Sequence, residues 1–315
     1  MKQYFGIDIG GTAVKLGIVD ETGKVLCKGE QSVNFDGYQT PVLDTVRKAA
    51  KEFLTAQAIP VENLSGIGVS ATGQIDSRKG IVAGTCGNFP NYIGSPIKAA
   101  LEQDFGLPVT VANDANCMTL GEVWVGGAQG YTDVIGVTLG TGVGGGVVVN
   151  GKVIDGVHGA GGEIGHITVN PHETAVCGCG KRGCLEQYSS ATGVVRCMKK
   201  LLEENPDVDC VLRGKEFEAK DVFDAARSGD ALAAREVEEM SNTLGMALAN
   251  IASTTDPEMF LVGGGVARAG DVLFDPLVKH FKEYAFRSCR ETPIKSASLG
   301  NDAGIYGAVR LIVGE

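Results

Sequence analysis

A strand, a glycine-rich turn and a second strand occur in this order twice along the chain, and this repeat limits the fold more than any other feature. The first copy is residues 5–12, FGIDIGGT, and the second is residues 135–142, IGVTLGTG. The similarity continues into the next turn, since GKV recurs at 23–25 and at 151–153. Two hairpins can be alike by chance. The interpretation that the longer match favours is a pair of similar α/β domains, each opening with a hairpin whose turn can hold a phosphate.

Apolar periodicity in the rest of the chain indicates an α/β protein. Helical spacing predicts helices over 40–56, 94–105, 115–124 and 302–313, and one long helix over 185–204. Short apolar strands alternate with the earlier helices, as in α/β folds. A length of 315 residues favours two domains over one.

Charge and hydropathy exclude several classes of partner. Lysine and arginine total 28 against 38 aspartates and glutamates, which gives a net charge of −10, and no dense basic run interrupts the sequence. We therefore expect neither nucleic acid nor an anionic membrane surface as a partner, because both are bound through positive charge. No apolar run reaches the roughly 18–20 residues of a membrane helix. The N-terminus lacks the apolar segment of a signal peptide, so we expect a cytoplasmic protein.

Three glycine-rich turns follow apolar strands, at residues 8–12, 140–146 and 263–265. Glycine lets backbone N–H groups approach a phosphate without obstruction by a Cβ atom. One such turn is a weak signal, whereas three, one of which contains a carboxylate at a strand end, indicate nucleotide binding. Residues 140–145 also match G-x-G-x-x-G. The apolar run at 147–149 nevertheless predicts that a strand follows, and not the helix of a dinucleotide-binding fold.

One histidine and three of the nine cysteines lie close together in the sequence. His166, Cys177, Cys179 and Cys184 could supply the ligands of a tetrahedral zinc ion, and in a cytoplasmic protein such a cluster favours metal over disulfides. His172 is a competing fourth ligand, although its neighbours suggest an exposed loop. Four protein ligands leave no open position for a water molecule, so we predict that the zinc is structural.

Four carboxylates are candidates for chemistry: Asp8, Asp114, Glu163 and Glu186. Asp114 follows a predicted strand and precedes a predicted helix, where it is either an active-site group or the N-cap of that helix. Glu163 lies three residues before His166, and Glu186 lies two residues after the last cysteine of the cluster. A zinc ion that joins His166 to the cysteines would therefore bring both glutamates together.

Five motifs occur in a fixed order: DIGGT at 8–12, NDAN at 113–116, LGTGVGGG at 139–146, EIGH at 163–166 and CGCGKRGCLE at 177–186. Together they resemble the ROK family of sugar kinases and repressors, with bacterial glucokinases the nearest group. The resemblance covers the whole chain and implies a two-domain α/β fold of the actin, Hsp70 and hexokinase (ribonuclease H-like) type, with sugar and ATP in the cleft between the domains.

The resemblance also implies where the domains divide. The small domain would be residues 1–112, completed by a C-terminal helix over 300–315. The large domain would be residues 113–299 and would contain the zinc-binding loop.

Roles for individual residues follow from the same resemblance. Asp114 would be the catalytic base that takes the proton from the primary hydroxyl of the sugar, and Asp8 would hold Mg²⁺. The residues expected to bind the sugar are Gly73, Asn113, Asp114, Glu163, His166 and Glu186. The residues expected to bind the phosphates or the nucleoside of ATP are Asp8, Gly10, Gly11, Thr12, Thr141, Gly142, Gly264 and Gly265. The structural zinc would be held by His166, Cys177, Cys179 and Cys184.

The activity that the resemblance implies is ATP-dependent phosphorylation of a hexose, with glucose yielding glucose 6-phosphate. N-acetylmannosamine is an alternative substrate, because Thr72-Gly73 stands where many glucokinases of the family have Pro-Gly, and fructose is another. The alternative that is not an enzyme is a sugar-binding regulator. Repressors of the family carry a helix-turn-helix segment ahead of the first motif, and only seven residues precede Asp8 here. We expect a homo-oligomer, either a dimer or a tetramer.

Overall fold

The structure is a computed structural model that describes residues 1–84 and 89–314, so Glu315, the end of the predicted C-terminal helix, lies outside the described residues. The strands are β1 (Gln3–Ile9), β2 (Ala13–Asp20), β3 (Val25–Ser32), β4 (Leu64–Ala71), β5 (Gln74–Asp76), β6 (Ile81–Gly84), β7 (Val109–Asn113), β8 (Val134–Leu139), β9 (Val143–Val149), β10 (Lys152–Val153), β11 (Met259–Gly263) and β12 (Ile294–Ser296). The helices are α1 (Val42–Ala56), α2 (Ile97–Phe105), α3 (Asp114–Val125), α4 (Glu186–Ser189), α5 (Ala191–Glu204), α6 (Ala219–Arg227), α7 (Ala231–Thr255), α8 (Asp271–Tyr284) and α9 (Ala303–Val313). In the described part of the chain, no helix is both long enough and apolar enough to cross a bilayer.

Two mixed sheets of five strands have corresponding strand orders among the described residues. The first runs β3-β2-β1-β4-β7 and the second runs β10-β9-β8-β11-β12, while β5 and β6 form a separate two-stranded sheet. In the first sheet β2 pairs antiparallel with β3, and β1 pairs parallel with β4. In the second sheet β9 pairs antiparallel with β10, and β8 pairs parallel with β11. Each sheet thus contains the same arrangement of strands, as the repeated hairpin in the sequence predicts.

The chain divides into two compact units, neither of which is continuous in sequence. The first unit consists of residues 1–132, 146–162 and 298–315, and the second consists of residues 133–145 and 163–297. The domain limits implied by the resemblance stay predictions. They place residues 1–112 and 300–315 in a small domain and residues 113–299 in a large domain.

In the first unit, the sheet is covered by helices on both faces. Alternate residues of β1 point to opposite sides of a sheet. On one side, Phe5 stacks on Phe53 of α1 and meets Phe105 of α2 edge to face. On the other side, Tyr4 packs with Ile305 of α9. The sheet is therefore the middle layer of three, and its core consists of the apolar side chains of β1, β2, β4, α1 and α2.

α9 approaches the first sheet very closely because glycines line the contact. A Cβ atom at Gly68 of β4 would lie 1.8 Å from the carbonyl oxygen of Ala308. A Cβ atom at Gly307 would lie 1.7 Å from the carbonyl oxygen of Cys117 in α3. No side chain larger than hydrogen fits at either position, so these glycines set the position of α9.

A fully buried carboxylate ties α3 to the chain just before α9. Glu122 accepts hydrogen bonds from the backbone N–H groups of Ser298 and Leu299, both at 2.7 Å, and from the Ser298 hydroxyl at 2.9 Å. The N–H of Gly127 donates to the same carboxylate at 2.7 Å. Four donors offset the free-energy cost of burying this charge, because charge-assisted hydrogen bonds are strong in a dry environment.

In the second unit, β11 is buried along its whole length, and Phe260 packs against Phe281 of α8 with ring centroids 5.6 Å apart. The single helix predicted over 185–204 is wrong, since α4 and α5 are separate helices. The break lies at Ser190, which has an extended backbone and whose hydroxyl accepts from the N–H of Gly193 at 2.9 Å. A serine in this position caps the second helix and so ends the first.

Candidate active site and metal centre

The first glycine turn, Gly10, Gly11 and Thr12, connects β1 to β2. The Tyr38 hydroxyl donates to the carbonyl oxygen of Gly11 at 2.5 Å. The Phe89 ring packs on the same residue, since a Cβ atom at Gly11 would lie 3.0 Å from Phe89 Cζ. The trans peptide is planar, so the Thr12 N–H points away from the oxygen that Tyr38 holds. Two aromatic side chains thus fix the orientation of a backbone donor that an anion can use.

Asp8, the last polar residue of β1, has a largely buried side chain that is 14% exposed. The Ser70 hydroxyl donates to Asp8 Oδ1 at 2.6 Å, and Lys15 Nζ lies 3.8 Å from Asp8 Oδ2. Burial raises the pKa of Asp8, while the hydrogen bond from Ser70 and the positive charge of Lys15 offset part of this rise. A carboxylate oxygen in this position fits Mg²⁺, which prefers oxygen ligands.

Asp114 is the first residue of α3, and Asn113 before it is the N-cap. Asn113 Oδ1 accepts from the N–H groups of Ala115 at 2.9 Å and Asn116 at 3.3 Å. Its Nδ2 donates at 2.9 Å to the carbonyl oxygen of Gly73, which has a left-handed φ of 89°. Because Asn113 caps the helix, capping does not account for Asp114, although Asp114 Oδ1 accepts from the N–H of Ala115 at 2.8 Å.

The second glycine turn is held by Glu186 and by the start of α5. The N–H of Val143 donates to Glu186 Oε2 at 3.1 Å, and a Cβ atom at Gly142 would lie 2.2 Å from the same oxygen. The Thr192 hydroxyl donates to the carbonyl oxygen of Thr141 at 2.8 Å. The structure therefore brings together a glutamate expected to bind sugar and a glycine turn expected to bind phosphate.

The predicted metal ligands converge, since His166, Cys177, Cys179 and Cys184 place their ligand atoms within 4.8 Å of one another. Cys177 Sγ lies 3.7 Å from His166 Nδ1, and Cys179 Sγ lies 3.6 Å from Cys184 Sγ. A tetrahedral zinc ion with Zn–S bonds of about 2.3 Å separates its sulfur ligands by roughly 3.8 Å. These residues fit zinc in both number and spacing. His172, the competing ligand, does not belong to this group of described residues.

The loop of residues 163–186, called here the cysteine loop, folds back on itself through short backbone pairings. Thr168 pairs with Cys184, and Val176 pairs with Arg182. Gly183 has a left-handed φ of 70°, and a Cβ atom there would lie 1.7 Å from the carbonyl oxygen of Asn170. The second pairing lies at the base of the tight turn that carries Cys177 and Cys179.

Both predicted glutamates border the metal group. Glu163 Oε2 lies 3.9 Å from His166 Nε2, and the Cys177 thiol lies 3.7 Å from Glu186 Oε1. Burial raises the pKa of Glu163; the nearby His166 lowers it and the negative charge of Glu186 raises it further. The two carboxylates are therefore close enough to influence each other.

The third glycine turn follows β11 and borders a cavity of about 810 Å³. Gly264 has a left-handed φ of 88°, and a Cβ atom there would lie 2.4 Å from the carbonyl oxygen of Leu139. Gly265 and Thr141, both expected to contact ATP, line the cavity. Sequence reasoning did not identify the residues of its other walls, which include Phe217, Lys220, Phe223, Arg227 and Arg268.

Comparison with known proteins identifies the family. The ROK family model matches residues 4–315. A glucokinase from Halalkalibacterium halodurans is 39% identical to this chain over an alignment of 315 positions. The alignment covers 99% of this chain and 95% of that protein. The crystal structure of ROK hexokinase from Thermus thermophilus has a TM-score of 0.82 at 30% identity, covering 97% of this chain and 96% of that one. The structure of a ROK family glucokinase from Streptomyces griseus, in complex with glucose and AMPPNP, has a TM-score of 0.76 at 34% identity and covers 98% of each chain.

These matches extend over nearly the full length of both partners in each comparison. They confirm the predicted α/β fold of the actin and hexokinase type. They also confirm the resemblance that the five sequence motifs indicate, and the chain belongs to the ROK family.

Proposed function

We propose that this chain is an ATP-dependent hexose kinase that transfers the γ-phosphoryl group of ATP to the primary hydroxyl of glucose. The observation that carries the proposal is the full-length match to a glucokinase at 39% identity. A related glucokinase of known structure is complexed with glucose and AMPPNP, an analogue of ATP. The sugar kinase that the sequence predicts is the function these relatives support.

Asp114 is the residue that we assign as catalytic base. Its carboxylate stands at the start of α3, while Asn113 performs the capping that would otherwise explain an aspartate there. As base it would accept the proton of the attacking sugar hydroxyl, a contribution of about 10²–10⁴-fold to the rate. The rest of the rate enhancement in phosphoryl transfer comes from positioning and from neutralisation of charge.

The phosphates of ATP would be bound mainly by backbone donors. In the first unit these would belong to Gly11 and Thr12, whose turn Tyr38 and Phe89 hold in place. The N–H of Gly10 is not available to a phosphate, because it donates to the carbonyl oxygen of Ala13 at 2.9 Å, so Gly10 would shape the turn. Asp8 would hold Mg²⁺, which when bound neutralises charge on the phosphates. In the second unit Thr141 and Gly142 would contribute in the same way, since the second turn repeats the first.

The nucleoside of ATP would occupy the cavity beside Gly264 and Gly265. Its volume of about 810 Å³ is suited to a ligand of this size. Phe217 and Phe223 provide apolar surface for the adenine ring, and Arg227 donates to the carbonyl oxygen of Ala269 at 2.6 Å, which joins the two walls of the cavity.

The sugar would be bound by Gly73, Asn113, Glu163, His166 and Glu186. One hydrogen of the Asn113 amide is engaged by the Gly73 carbonyl, which orients the group and leaves its second hydrogen for a hydroxyl. Zinc bound by the histidine and the three cysteines would stabilise the cysteine loop and thereby place Glu163 and Glu186. We also propose that the enzyme is cytoplasmic and forms a homo-oligomer. Light scattering of the purified protein would measure the mass of the oligomer.

The assignment of Asp114 is tested by Asp114→Asn. We expect the variant to fold and to bind nucleotide as wild type does, and to lose turnover by about 10²-fold or more. Asparagine caps a helix as well as aspartate does, so a residue with only a structural role would tolerate the change. Turnover within threefold of wild type would show that Asp114 is not the base.

A further inference from the structure

A second cavity in the second unit, of about 550 Å³, has no assigned function. One wall comes from the cysteine loop, at Asn170 and Glu173, and others come from α5 and α7. The residues that the sequence assigns to sugar, to ATP or to the zinc site of His166 and three cysteines do not line it, whereas His172, the alternative zinc ligand, does. A ligand bound here would therefore be distinct from the substrates of the proposed kinase.

Glu236 of α7 is the unusual group in this cavity. The residue is only 3% exposed, yet it is one of the residues that line the cavity. Among the described residues, no donor forms a hydrogen bond or an ion pair with it. Burial raises the pKa of Glu236 to about 8, and the negative charge of Glu239 adds to the rise, while Arg196 and Arg235 oppose it. Buried polar groups almost always have partners, so an unpartnered carboxyl facing a cavity requires an explanation.

The other charged groups around the cavity are already paired. Arg196 bonds Glu173 at 3.1 Å, and Arg235 bonds Glu239 at 2.7 Å. A third pair joins Lys200 to Glu204 at 3.7 Å. Each lining cation therefore has its own carboxylate, and the group left without a partner is an acid.

A fixed polar wall gives the cavity a defined shape. The Tyr188 hydroxyl donates to Glu173 at 2.6 Å and accepts from Asn170 Nδ2 at 2.8 Å. The Arg196 guanidinium lies over the Tyr188 ring, 5.3 Å from its centroid. Hydrogen bonds, an ion pair and a cation–π contact thus fix the four side chains of this wall. Binding sites for small molecules are usually preformed in this way.

We propose that this cavity binds a small organic cation whose primary ammonium group bonds the carboxylate of Glu236. An ammonium group offers three N–H donors and one positive charge, which is what an unpaired buried carboxylate lacks. The cavity volume lies within the usual range of small-molecule sites, roughly 300–1,000 Å³. A neutral polyol could fill the same space, but it would not supply the missing charge.

Titration calorimetry of the whole protein with 1,4-diaminobutane at pH 7.5 tests the proposal, with 1,4-butanediol as the neutral analogue. We expect saturable binding of the diamine and none of the diol. Binding ionises a carboxyl group that is partly protonated at this pH, so protons are released. The measured heat should therefore differ between phosphate and Tris buffers, since the two take up protons with different enthalpies.

Glu236→Gln should weaken diamine binding by about tenfold or more, because it removes a charge-assisted hydrogen bond. The same variant should remove the dependence of the heat on the buffer. Glu204→Gln is a matched change at an exposed acid of the same cavity. It should leave the affinity for the diamine within about threefold of wild type, because Glu204 is solvated and already pairs with Lys200. Kinase turnover without diamine should be unchanged in both variants.

Folding of Glu236→Gln is checked by its melting temperature, which we expect to equal or exceed that of wild type because a desolvated acid is removed. Glu236→Met provides a second, apolar replacement. No saturable heat with wild type, equal affinity in the Glu236 variants, or equal binding of the diol would each overturn the proposal. None of these outcomes depends on whether the protein phosphorylates a hexose.

Discussion

The carboxylate of Asp8 lies directly against the backbone of Gly304, the second residue of α9. A Cβ atom at Gly304 would lie 2.4 Å from Asp8 Cγ and 2.5 Å from Oδ1. Gly304→Ala must therefore move either Asp8 or the helix. We expect turnover to fall by roughly 100-fold, since small displacements of active-site groups have effects of this size. Steady-state kinetics of the purified variant measure it.

Gly314→Ala serves as the control for this change, because the nearest atom, the carbonyl oxygen of Arg310, would be 3.2 Å from the new Cβ. Circular dichroism should show that both variants are folded. Full activity in Gly304→Ala would mean that the position of Asp8 does not matter for turnover.

Removal of one cysteine ligand should release the metal. We expect about one zinc per wild-type chain and none in Cys179→Ser, because three protein ligands hold zinc much less tightly than four. The sugar KM should rise by about tenfold or more, as when groups that position a site are lost. The KM for ATP should change far less. Metal analysis and kinetics of the same samples give both quantities.

Cys27→Ser is the matched control, since Cys27 lies in β3 outside the metal group. Its zinc content and its sugar KM should equal those of wild type. If zinc-free Cys179→Ser kept the wild-type sugar KM, the metal would have no part in placing the sugar-binding glutamates.

Two glycines facing α9 should differ in their response to alanine. At Gly68 the new Cβ would meet a backbone atom, the carbonyl oxygen of Ala308 at 1.8 Å. At Gly17 it would meet a side-chain atom, Cγ2 of Ile305, at 2.9 Å, which is a much smaller overlap. We expect Gly68→Ala to destabilise the fold by about 3 kcal/mol and Gly17→Ala by about 1 kcal/mol. Chemical denaturation followed by fluorescence would measure both, and equal effects would contradict this account of the helix contact.

The ion pair between α1 and α2 should make stability depend on pH. Arg47 donates to Asp104 at 2.6 Å, and Lys51 donates to it at 2.7 Å. The hydrogen bond from Arg47, together with that from Lys51 and the positive charge of both groups, lowers the pKa of Asp104 from 3.8 to about 2. A lowered pKa means that the stabilisation is complete above the ordinary value and is lost as the pH falls from about 4 towards 2. Because Arg47 is one-third exposed, we expect Asp104→Asn to lose only about 1 kcal/mol at pH 7.

Melting temperatures at several pH values would measure this loss. The difference between wild type and Asp104→Asn should shrink as the pH falls from 5 to 3. Asp44→Asn is the control, because Asp44 is exposed and lies 3.9 Å from Arg47. A difference that is the same at every pH would rule out the ion pair as its cause.

The parts of the fold that the sequence predicts correctly depend on local patterns. The repeated hairpins appear as strands flanking glycine turns, because alternation and turn residues act over a few positions. The metal ligands are also recoverable, since 19 residues of sequence contain all of them. Apolar spacing does not predict the break at Ser190, because the spacing continues through that residue. The capping hydrogen bond from Gly193 shows where one helix ends and the next begins.

Other features depend on contacts between distant segments, which spacing does not show. In the sequence, Glu122 resembles any glutamate on a helix surface. In the structure, it is buried and accepts hydrogen bonds from the N–H groups of residues 298 and 299. Tyr38 reaches Gly11 from a different loop. The cavity beside Gly265 is lined by α6 and by the turn after β11, which are distant in sequence. No single sequence motif therefore contains its lining residues. Glu236 likewise gives no sign in the sequence that it is buried.

Sugar-dependent release of ADP from Mg·ATP tests the central claim most directly. Purified protein would be assayed in a coupled reaction with glucose, N-acetylmannosamine, N-acetylglucosamine and fructose, each at the same concentration. We expect the highest kcat/KM with glucose and a product phosphorylated at its primary hydroxyl. ADP release that is fastest with another sugar would support the assignment as a sugar kinase but would contradict glucose as its substrate. No sugar-dependent ADP release with any of them, from protein that is folded and contains zinc, would contradict the assignment of a hexose kinase.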